Sequence, residues 1–273
     1  MLFKNIYPCK GASPAKERNF TMEQSTPEKT LTAEEVYQTL RSEILTLRIR
    51  PGEMLPENML VSRFGLSRTP IRSIIVRLSQ EGLIVQQGRK GNYVSLIDLD
   101  MAEQMIFLRL QLEIAAFSHL IRHSDTMLLV HLRENLDEQL RVSTSSEPVE
   151  HFYQVDSAFH GMCMEAAGRL RAWQTLQNME VHYSRYRRLD YKVFQNAHVF
   201  ESLYEDHVAL YDILRHRDLE AVPDMLARHL YSGMIRIDED LYLDLSNYFE
   251  SDVRPLKQIL RDIHQTLSEI CKA

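Results

Sequence analysis

From Asp98 almost to the C-terminus, apolar residues recur every three or four positions, and this spacing restricts that part of the chain to helices. Residues three and four apart share one face of an α-helix, so each such stretch can bury one side. Breaks fall near residues 143–148, at Gly168 and near residues 190–198. We therefore predict an all-α antiparallel helical bundle built from the segments 98–123, 125–142, 149–167, 170–189, 199–217 and 218–242.

The last helical segment, at about residues 252–271, has the most regular apolar stripe. The stripe resembles a heptad pattern but is too short to specify a coiled coil by itself. Two interpretations remain open: a terminal helix that packs on its own domain, and a helix that contacts a second subunit. The residues of the stripe are Val253, Leu256, Leu260, Ile263, Leu267 and Ile270.

Shorter elements with clear boundary signals precede the bundle. Thr32 and Glu35 form a capping box at the start of a first helix, and Gly65 and Gly82 end the second and third helices. The predicted order is helix 31–49 ended by Pro51-Gly52, helix 57–64, helix 69–81 capped by Ser67, strands 83–85 and 93–96, and a turn at 86–92. The fold predicted for the whole chain is therefore mainly α, with an N-terminal winged helix-turn-helix whose small wing has two strands.

The net charge of −6 conceals two regions of opposite sign. Residues 1–97 contain 14 Lys and Arg against 9 Asp and Glu, whereas residues 98–273 contain 18 against 29. A basic front and an acidic back indicate two domains with different partners. The three cysteines lie far apart, so we expect no disulfide framework and a cytoplasmic location. No apolar stretch approaches the ~18 residues of a membrane span, so we expect no membrane partner.

The third predicted helix carries the chemistry for reading DNA. In a helix-turn-helix the second helix of the pair enters the major groove of double-stranded DNA with its N-terminal residues at the base edges. Arg68 and Arg72 share a face there and can contact guanine or phosphate. Hydroxyl groups at the helix start and a basic, glycine-hinged wing tip suit the phosphate backbone. The predicted DNA-binding residues are Ser67, Arg68, Thr69, Arg72, Arg89, Lys90 and Gly91.

Residues 55–94 resemble the winged helix-turn-helix of the GntR family of bacterial transcription regulators. The resemblance is carried by the Leu-Pro-Glu entry at 55–57, by Gly-Leu-Ser-Arg-Thr-Pro-Ile-Arg at 65–72, by Glu-Gly-Leu at 81–83 and by Gly-x-Tyr-Val at 91–94. It implies that Arg68, Arg72 and Gly91 contact an operator. Asn58 stands where some family members have a base-contacting arginine, and Ser73-Ile74 replaces the usual Glu-Ala, which leaves the operator sequence open.

The acidic half contains a weak metal-binding signal. Asp156 and His160 are four residues apart on one predicted helix, so a carboxylate and an imidazole can reach one ion. His207 and His229 lie inside two further amphipathic segments. By itself an Asp-x-x-x-His pair is more often solvated or satisfied within a core.

This half also resembles the FCD effector domain of the FadR subgroup, in Phe107-x-Arg109, Asp156-x-x-Phe159-His160, Glu205-x-His207 and Met225-x-x-x-His229-Leu230. The resemblance implies a divalent metal ion (Zn, Mn or Ni) held by Asp156, His160, His207 and His229. It also implies that Arg109 binds the carboxylate of a small-molecule effector. The alternative for Arg109 is an ion pair with Glu113 one turn later. We expect His182, Tyr183 and Arg187 to line the same effector cavity.

These signals divide the chain into a flexible tail (1–30), a DNA-binding domain (31–97), an FCD-like effector and metal-binding domain (98–237) and a C-terminal helical extension (238–273). The leading hypothesis is a homodimeric transcription factor, usually a repressor in this family, that binds a palindromic operator and is controlled by a carboxylate. A metal-dependent enzyme acting on a small carboxylate is the second hypothesis, but the sequence contains no recognisable general base and we name no catalytic residue. The third is a DNA-binding regulator whose metal is purely structural.

Overall fold

The computed structural model describes residues 31–123, 126–143, 149–194, 197–237, 239–251 and 253–270. The predicted tail at 1–30 lies outside these ranges, as do Cys9 and Cys271. Cys163, the cysteine within them, is free and buried.

The helix-turn-helix forms where the cap and glycine signals place it. Helix α1 (Ala33–Leu45) begins with the predicted capping box, and α2 (Glu57–Phe64) ends at Gly65, whose φ is 66°. Helix α3 (Arg68–Gln80) starts after Ser67, although the Ser67 side chain makes no capping hydrogen bond. Helix α1 ends four residues before the predicted position because Leu47 adopts a left-handed conformation. The core of this domain includes Val36, Leu40, Leu60, Ile71, Ile75 and Leu78.

The wing is a two-stranded antiparallel sheet, as the sequence predicts. Strand β1 (Ile84–Gln86) pairs with β2 (Asn92–Val94), with Ile84 opposite Val94. A short 3-10 turn, Gly88–Lys90, forms the tip between them. Gly91 has a φ of 115°, a backbone conformation that other residues rarely adopt, so this position favours glycine. The winged helix-turn-helix is therefore confirmed.

The rest of the chain is a helical bundle, also as predicted. No helix within the residues described has the length and apolar character to cross a membrane. The helices are α4 (Leu99–His123), α5 (Thr126–Ser143), α6 (Val149–Ala166), α7 (Leu170–Met179), α8 (Val181–Phe194), α9 (Ala197–His216), α10 (Ala221–Tyr231), α11 (Glu239–Asp244) and α12 (Leu256–Ile270).

Two predicted helices are wrong in extent. The segment 170–189 is two helices, because the chain leaves helical geometry at Glu180 (ψ 31°) and resumes at Val181. A one-residue break leaves the apolar spacing intact, so periodicity cannot reveal it. The predicted segment 218–242 ends at Tyr231, where Ser232 and Gly233 lead into a 3-10 turn.

The C-terminal extension packs on its own domain, which is the first of the two interpretations of its stripe. Helix α12 lies against α4 and α10 and buries Leu256, Ile259 and Ile263. The segment before it pairs with the connection between the two domains. The Ile97 amide donates to the Tyr248 carbonyl at 2.8 Å, and the Glu250 amide donates to the Ile97 carbonyl at 2.9 Å. The extension therefore fixes one side of this connection.

Candidate metal centre and DNA-binding surface

Four buried side chains from three helices meet in the middle of the bundle. Helix α6 supplies Asp156 and His160, α9 supplies His207 and α10 supplies His229. One ligand atom from each lies within 4.8 Å of the others. The structure thus brings together all four residues that the resemblance implies as metal ligands.

The three imidazoles point their Nε2 atoms at one another. His207 Nε2 lies 3.1 Å from His160 Nε2 and 3.1 Å from His229 Nε2, and the latter two atoms are 3.2 Å apart. Each Nδ1 has an acceptor outside this triangle: Glu113 at 2.6 Å for His160, Gln139 at 2.7 Å for His207 and Asp206 at 3.1 Å for His229. The Gln139 amide group donates to Asn135 at 2.7 Å, which turns its oxygen toward His207.

This arrangement fits a cation. With Nδ1–H donated outward, each neutral imidazole presents a lone pair on Nε2, and three lone pairs cannot satisfy one another. Burial lowers the pKa of His160 and His207, which favours the neutral forms. Nitrogens 3.1–3.2 Å apart can share one ion at about 2.0–2.1 Å. Outer acceptors that fix the histidine rings are a usual part of metal sites.

Asp156 has the character of a fourth ligand. Both of its carboxylate oxygens are buried, and neither accepts a hydrogen bond from a described residue. Arg187 Nη2 lies 2.9 Å from Oδ2 and forms an ion pair with it. Burial by itself would raise the pKa of Asp156, but the charge of Arg187 and the nearby imidazoles lower it below its usual value. The carboxylate is therefore ionised and available to a cation.

Arg109 forms the ion pair that was its alternative interpretation, and it also faces the cavity. Its Nε donates to Glu113 Oε1 at 3.0 Å, and its Nη1 donates to the Tyr183 hydroxyl at 3.4 Å. Burial opposes ionisation of Glu113, yet His160 and Arg109 lower its pKa to about 2. Glu113 thus joins the arginine to a metal-site histidine, a role that its sequence pattern did not reveal.

Two cavities near the candidate metal centre share Arg109 and Arg187 among their lining residues. A space of about 20 Å³ is lined by three of the four donors, Asp156, His160 and His229, and by Arg109, Tyr183 and Arg187. Arg109 and Arg187 also line a cavity of about 570 Å³, a volume typical of small-molecule sites. Three of the four predicted effector residues therefore lie together. His182 lies elsewhere: its Nδ1 accepts a hydrogen bond from the Asp98 amide at 2.9 Å.

Helix α8 contacts both the cavity and the DNA-binding domain. Tyr183 and Arg187 face the cavity, whereas fully buried Arg185 faces the interdomain connection. The Arg185 guanidinium donates to the carbonyls of Ser95 at 2.7 Å and Leu96 at 3.2 Å. Lys192 donates to the Thr46 and Leu47 carbonyls, each at 3.1 Å, at the end of α1. One helix therefore joins the two parts of the molecule.

The predicted DNA-binding residues form an exposed surface on α3 and the wing. Ser67, Arg68, Thr69, Arg72, Arg89 and Lys90 are exposed, and Gly91 is half-buried at the wing. Two arginines have partners on α2: Arg68 donates to Asn58 at 3.3 Å and Arg72 to Glu57 at 2.9 Å. Asn58, the departure noted in the sequence, therefore supports Arg68.

Both the N-terminal domain and the helical domain match known protein families. Residues 32–94 match the family model for bacterial regulatory proteins of the gntR family, and residues 104–232 match the FCD domain model. The chain is 32% identical over 202 residues to an uncharacterized HTH-type transcriptional regulator in an unstable DNA locus of Streptomyces ambofaciens, which covers 71% of this chain and 84% of the relative.

Two further proteins are similar over most of the chain. The HTH-type transcriptional repressor RspR of Escherichia coli strain K12 is 28% identical over 197 residues, covering 72% of this chain and 85% of that protein. The solved structure of E. coli McbR/YncC shares the fold with a TM-score of 0.60 at 18% identity, covering 78% of this chain and 97% of that one. The match therefore extends over both domains.

Proposed function

The chain belongs to the GntR family of bacterial regulatory proteins and carries an FCD domain, and from this premise we propose that it is a repressor controlled by a small carboxylate at a divalent metal site. It is a transcriptional regulator of the GntR and FCD type, and a repressor is among its relatives. GntR regulators bind DNA operators, and FCD domains bind small-molecule effectors. The observation that supports the metal and effector part is the convergence of three imidazole Nε2 atoms and the buried Asp156 carboxylate beside Arg109 and Arg187.

His160, His207, His229 and Asp156 would hold the ion, which we propose to be Zn²⁺, Mn²⁺ or Ni²⁺. When bound, the ion supplies a positive charge that can accept an oxygen of the effector carboxylate. Three protein nitrogens and one carboxylate leave coordination positions open in these metals when they bind more than four ligands. The adjoining cavity supports an effector role better than a purely structural one.

Arg109 and Arg187 would bind the effector carboxylate from the protein side. Each guanidinium can offer a fork of donors to a carboxylate. Arg187 is paired with Asp156 in the structure described. A cation coordinated by Asp156 competes with this ion pair, so Arg187 becomes available to an anionic ligand. Metal and effector would then bind cooperatively.

Helix α8 would transmit the state of the cavity to the DNA-binding domain. An effector alters operator affinity only if it favours one arrangement of the two domains. Arg187 and Arg185 lie on the same short helix, one toward the cavity and one bonded to the connection at Ser95 and Leu96. A shift of α8 on effector binding therefore changes the orientation of α3.

We propose that the protein acts as a cytoplasmic homodimer on a palindromic double-stranded operator. A two-fold axis presents one α3 to each half-site. The exposed Arg68, Arg72 and wing residues would make the contacts, and neutralised phosphates give operator binding a steep dependence on salt.

Selection of operators from a random duplex library by the metal-loaded protein tests the DNA-binding part. We expect a palindromic site, and we expect Arg68→Ala to weaken its binding by about 1–3 kcal/mol per half-site. Arg228→Ala is the matched control, since Arg228 is exposed on α10 and pairs with Asp224. Operator affinity that is unchanged by Arg68→Ala would exclude this arginine as a contact.

The effector part is tested on the same operator with a panel of small carboxylates. We expect at least one carboxylate to weaken operator binding about tenfold with metal-loaded protein and to have no effect after chelation. If no carboxylate changes operator affinity, whether or not metal is present, the metal is structural or absent. If the metal-loaded protein turns a carboxylate over, the protein is an enzyme.

A further inference from the structure

Glu180 occupies the break between α7 and α8, at the wall of the larger cavity. It lines this cavity together with Arg109 and Arg187. Its Oε2 atom is buried and accepts no hydrogen bond from any residue that the structure describes. Burial of the carboxyl group raises the pKa of Glu180 to about 7, against the opposing charges of Arg109 and Arg187. Among the carboxyl groups that line this cavity, Glu180 is thus the one with a buried oxygen that lacks a donor.

A buried acceptor without a partner destabilises the protein, and native structures rarely keep one unless something else satisfies it. Two other buried carboxylates near the cavity lie against cationic groups or proposed metal ligands, although the Asp156 oxygens likewise accept no hydrogen bond from a described residue. Glu113 bonds Arg109 and His160, and Asp156 lies against Arg187 and the imidazoles. No such partner serves Glu180 Oε2 within the described ranges. A donor in the cavity, which is water in the free protein or a ligand group in the complex, would therefore serve this oxygen.

The charges around Glu180 restrict the chemistry of this donor. When Glu180 is ionised, a second carboxylate beside it would meet a like charge, so the anionic end of a ligand belongs at Arg109 and Arg187. An ammonium group beside Glu180 would lie close to these same two arginines, which disfavours it. A neutral hydroxyl donates a hydrogen bond without either penalty. The cavity thus fits an anion at one end and a hydroxyl group at the other.

We propose that Glu180 selects hydroxycarboxylates as effectors, by accepting a hydrogen bond from a hydroxyl group of a ligand whose carboxylate is held at Arg109 and Arg187. This inference rests on the proposed effector function and adds the chemical class of the ligand. A site built to bond a hydroxyl discriminates strongly against the analogue that lacks it, because its buried polar group is then left without a partner.

Calorimetry on the full, Zn²⁺-loaded chain tests the proposal with pairs of probes that differ in hydroxylation. The pairs are lactate and propionate, 3-hydroxybutyrate and butyrate, and gluconate and hexanoate, with alanine as the amino analogue. We expect the hydroxylated member of at least one pair to bind about tenfold or more tightly than its partner. In Glu180→Met this preference should fall to near unity, while affinity for the unsubstituted member stays the same.

Two further variants keep the test specific. Glu180→Gln retains the volume and a weaker, uncharged acceptor, so it should show an intermediate preference and serve if Glu180→Met fails to fold. Glu165→Gln removes a carboxylate from the exposed rim of the same cavity and should leave the preference unchanged. Operator binding without ligand and the circular dichroism spectrum report whether each variant is folded.

The outcomes separate this inference from the proposed function. If both members of every pair bind equally to the wild type, or if the preference survives in Glu180→Met, Glu180 does not select hydroxyl groups, although a carboxylate effector remains. Tighter binding of alanine than of lactate would assign an amino-carboxylate instead and overturn the proposal. If no probe of either kind binds the metal-loaded wild type, the carboxylate effector itself falls, and this inference falls with it.

Discussion

The predicted DNA-binding surface and the candidate metal centre place their functional groups in opposite environments. The side chains of Arg68 and Arg72 are exposed, and each has a single partner on α2. The metal-site histidines are buried, and each ring is fixed by an acceptor on its second nitrogen. Exposed arginines are stabilised by water in the free protein, whereas the buried donors depend on one another. Changes at the surface should therefore affect binding alone, and changes at the centre should affect binding and stability together.

Among the tests of this difference, metal loading has the largest expected effect. A ligand that binds only the folded state at 1,000 times its dissociation constant adds about 4 kcal/mol to the free energy of unfolding. We expect this gain for the wild type on addition of Zn²⁺, its loss on chelation, and no gain for His207→Ala. His216→Ala, an exposed histidine on the same helix α9, is the control. Denaturant unfolding measures the effect, and an equal gain in His207→Ala would place the ion elsewhere.

The two regions also differ in what their sequences reveal. The predicted DNA-binding residues lie between positions 67 and 91, in a short segment where Gly82 and Gly91 mark the end of α3 and the wing, so the motif predicts which side chains are exposed there, and their contacts with DNA stay a prediction. The metal donors lie between positions 156 and 229 on three helices. Only Asp156 and His160 are related by helical spacing, and the set of four came from the family resemblance rather than from periodicity.

The groups that complete the metal centre were not predictable from the pattern. Glu113, Gln139 and Asp206 each hold a histidine ring, and they come from three different helices. Their positions depend on how the helices cross, which apolar spacing does not specify. Glu180 was missed for a related reason, since it lies at a break that interrupts the helix but not the spacing. His182 was expected in the cavity, but it lies one residue before Tyr183 and therefore faces the interdomain connection.

A test with an expected effect of intermediate size concerns His182, which lies at the connection between the two domains. Burial, with the charge of Arg185, lowers its pKa from the usual 6.5 to about 4. Between these two pH values the unfolded chain binds a proton that the folded protein excludes, so stability falls as the pH decreases from 6.5 to 4. This group alone can account for at most about 3.5 kcal/mol, at about 1.4 kcal/mol for each pKa unit.

His182→Gln isolates this contribution, because glutamine offers an acceptor to the Asp98 amide but does not titrate in this range. We expect the difference in unfolding free energy between wild type and variant to change with pH between 4 and 6.5 and to be constant above about 7. Denaturant unfolding across this range provides the measurement. A difference that does not change with pH would mean that protonated His182 is tolerated at the connection.

The smallest expected effect concerns the contact between Arg72 and Glu57 on the DNA-binding surface. The Arg72 side chain is 64% exposed and that of Glu57 31%, so their ion pair contributes little to stability, about 0.2–1 kcal/mol. A phosphate approaching Arg72 must compete with the Glu57 carboxylate and is repelled by it. We therefore expect Glu57→Gln to tighten operator binding by a few-fold at low salt, with an effect that fades at high salt. Glu43→Gln, which removes the partner of Arg63, is the matched control.

Fluorescence anisotropy against salt concentration distinguishes two roles for Glu57. Tighter binding means that the carboxylate competes with DNA for an exposed arginine. Weaker binding would mean that it orients Arg72 toward the groove, and the DNA-binding surface would then depend on fixed partners in the same way as the metal centre.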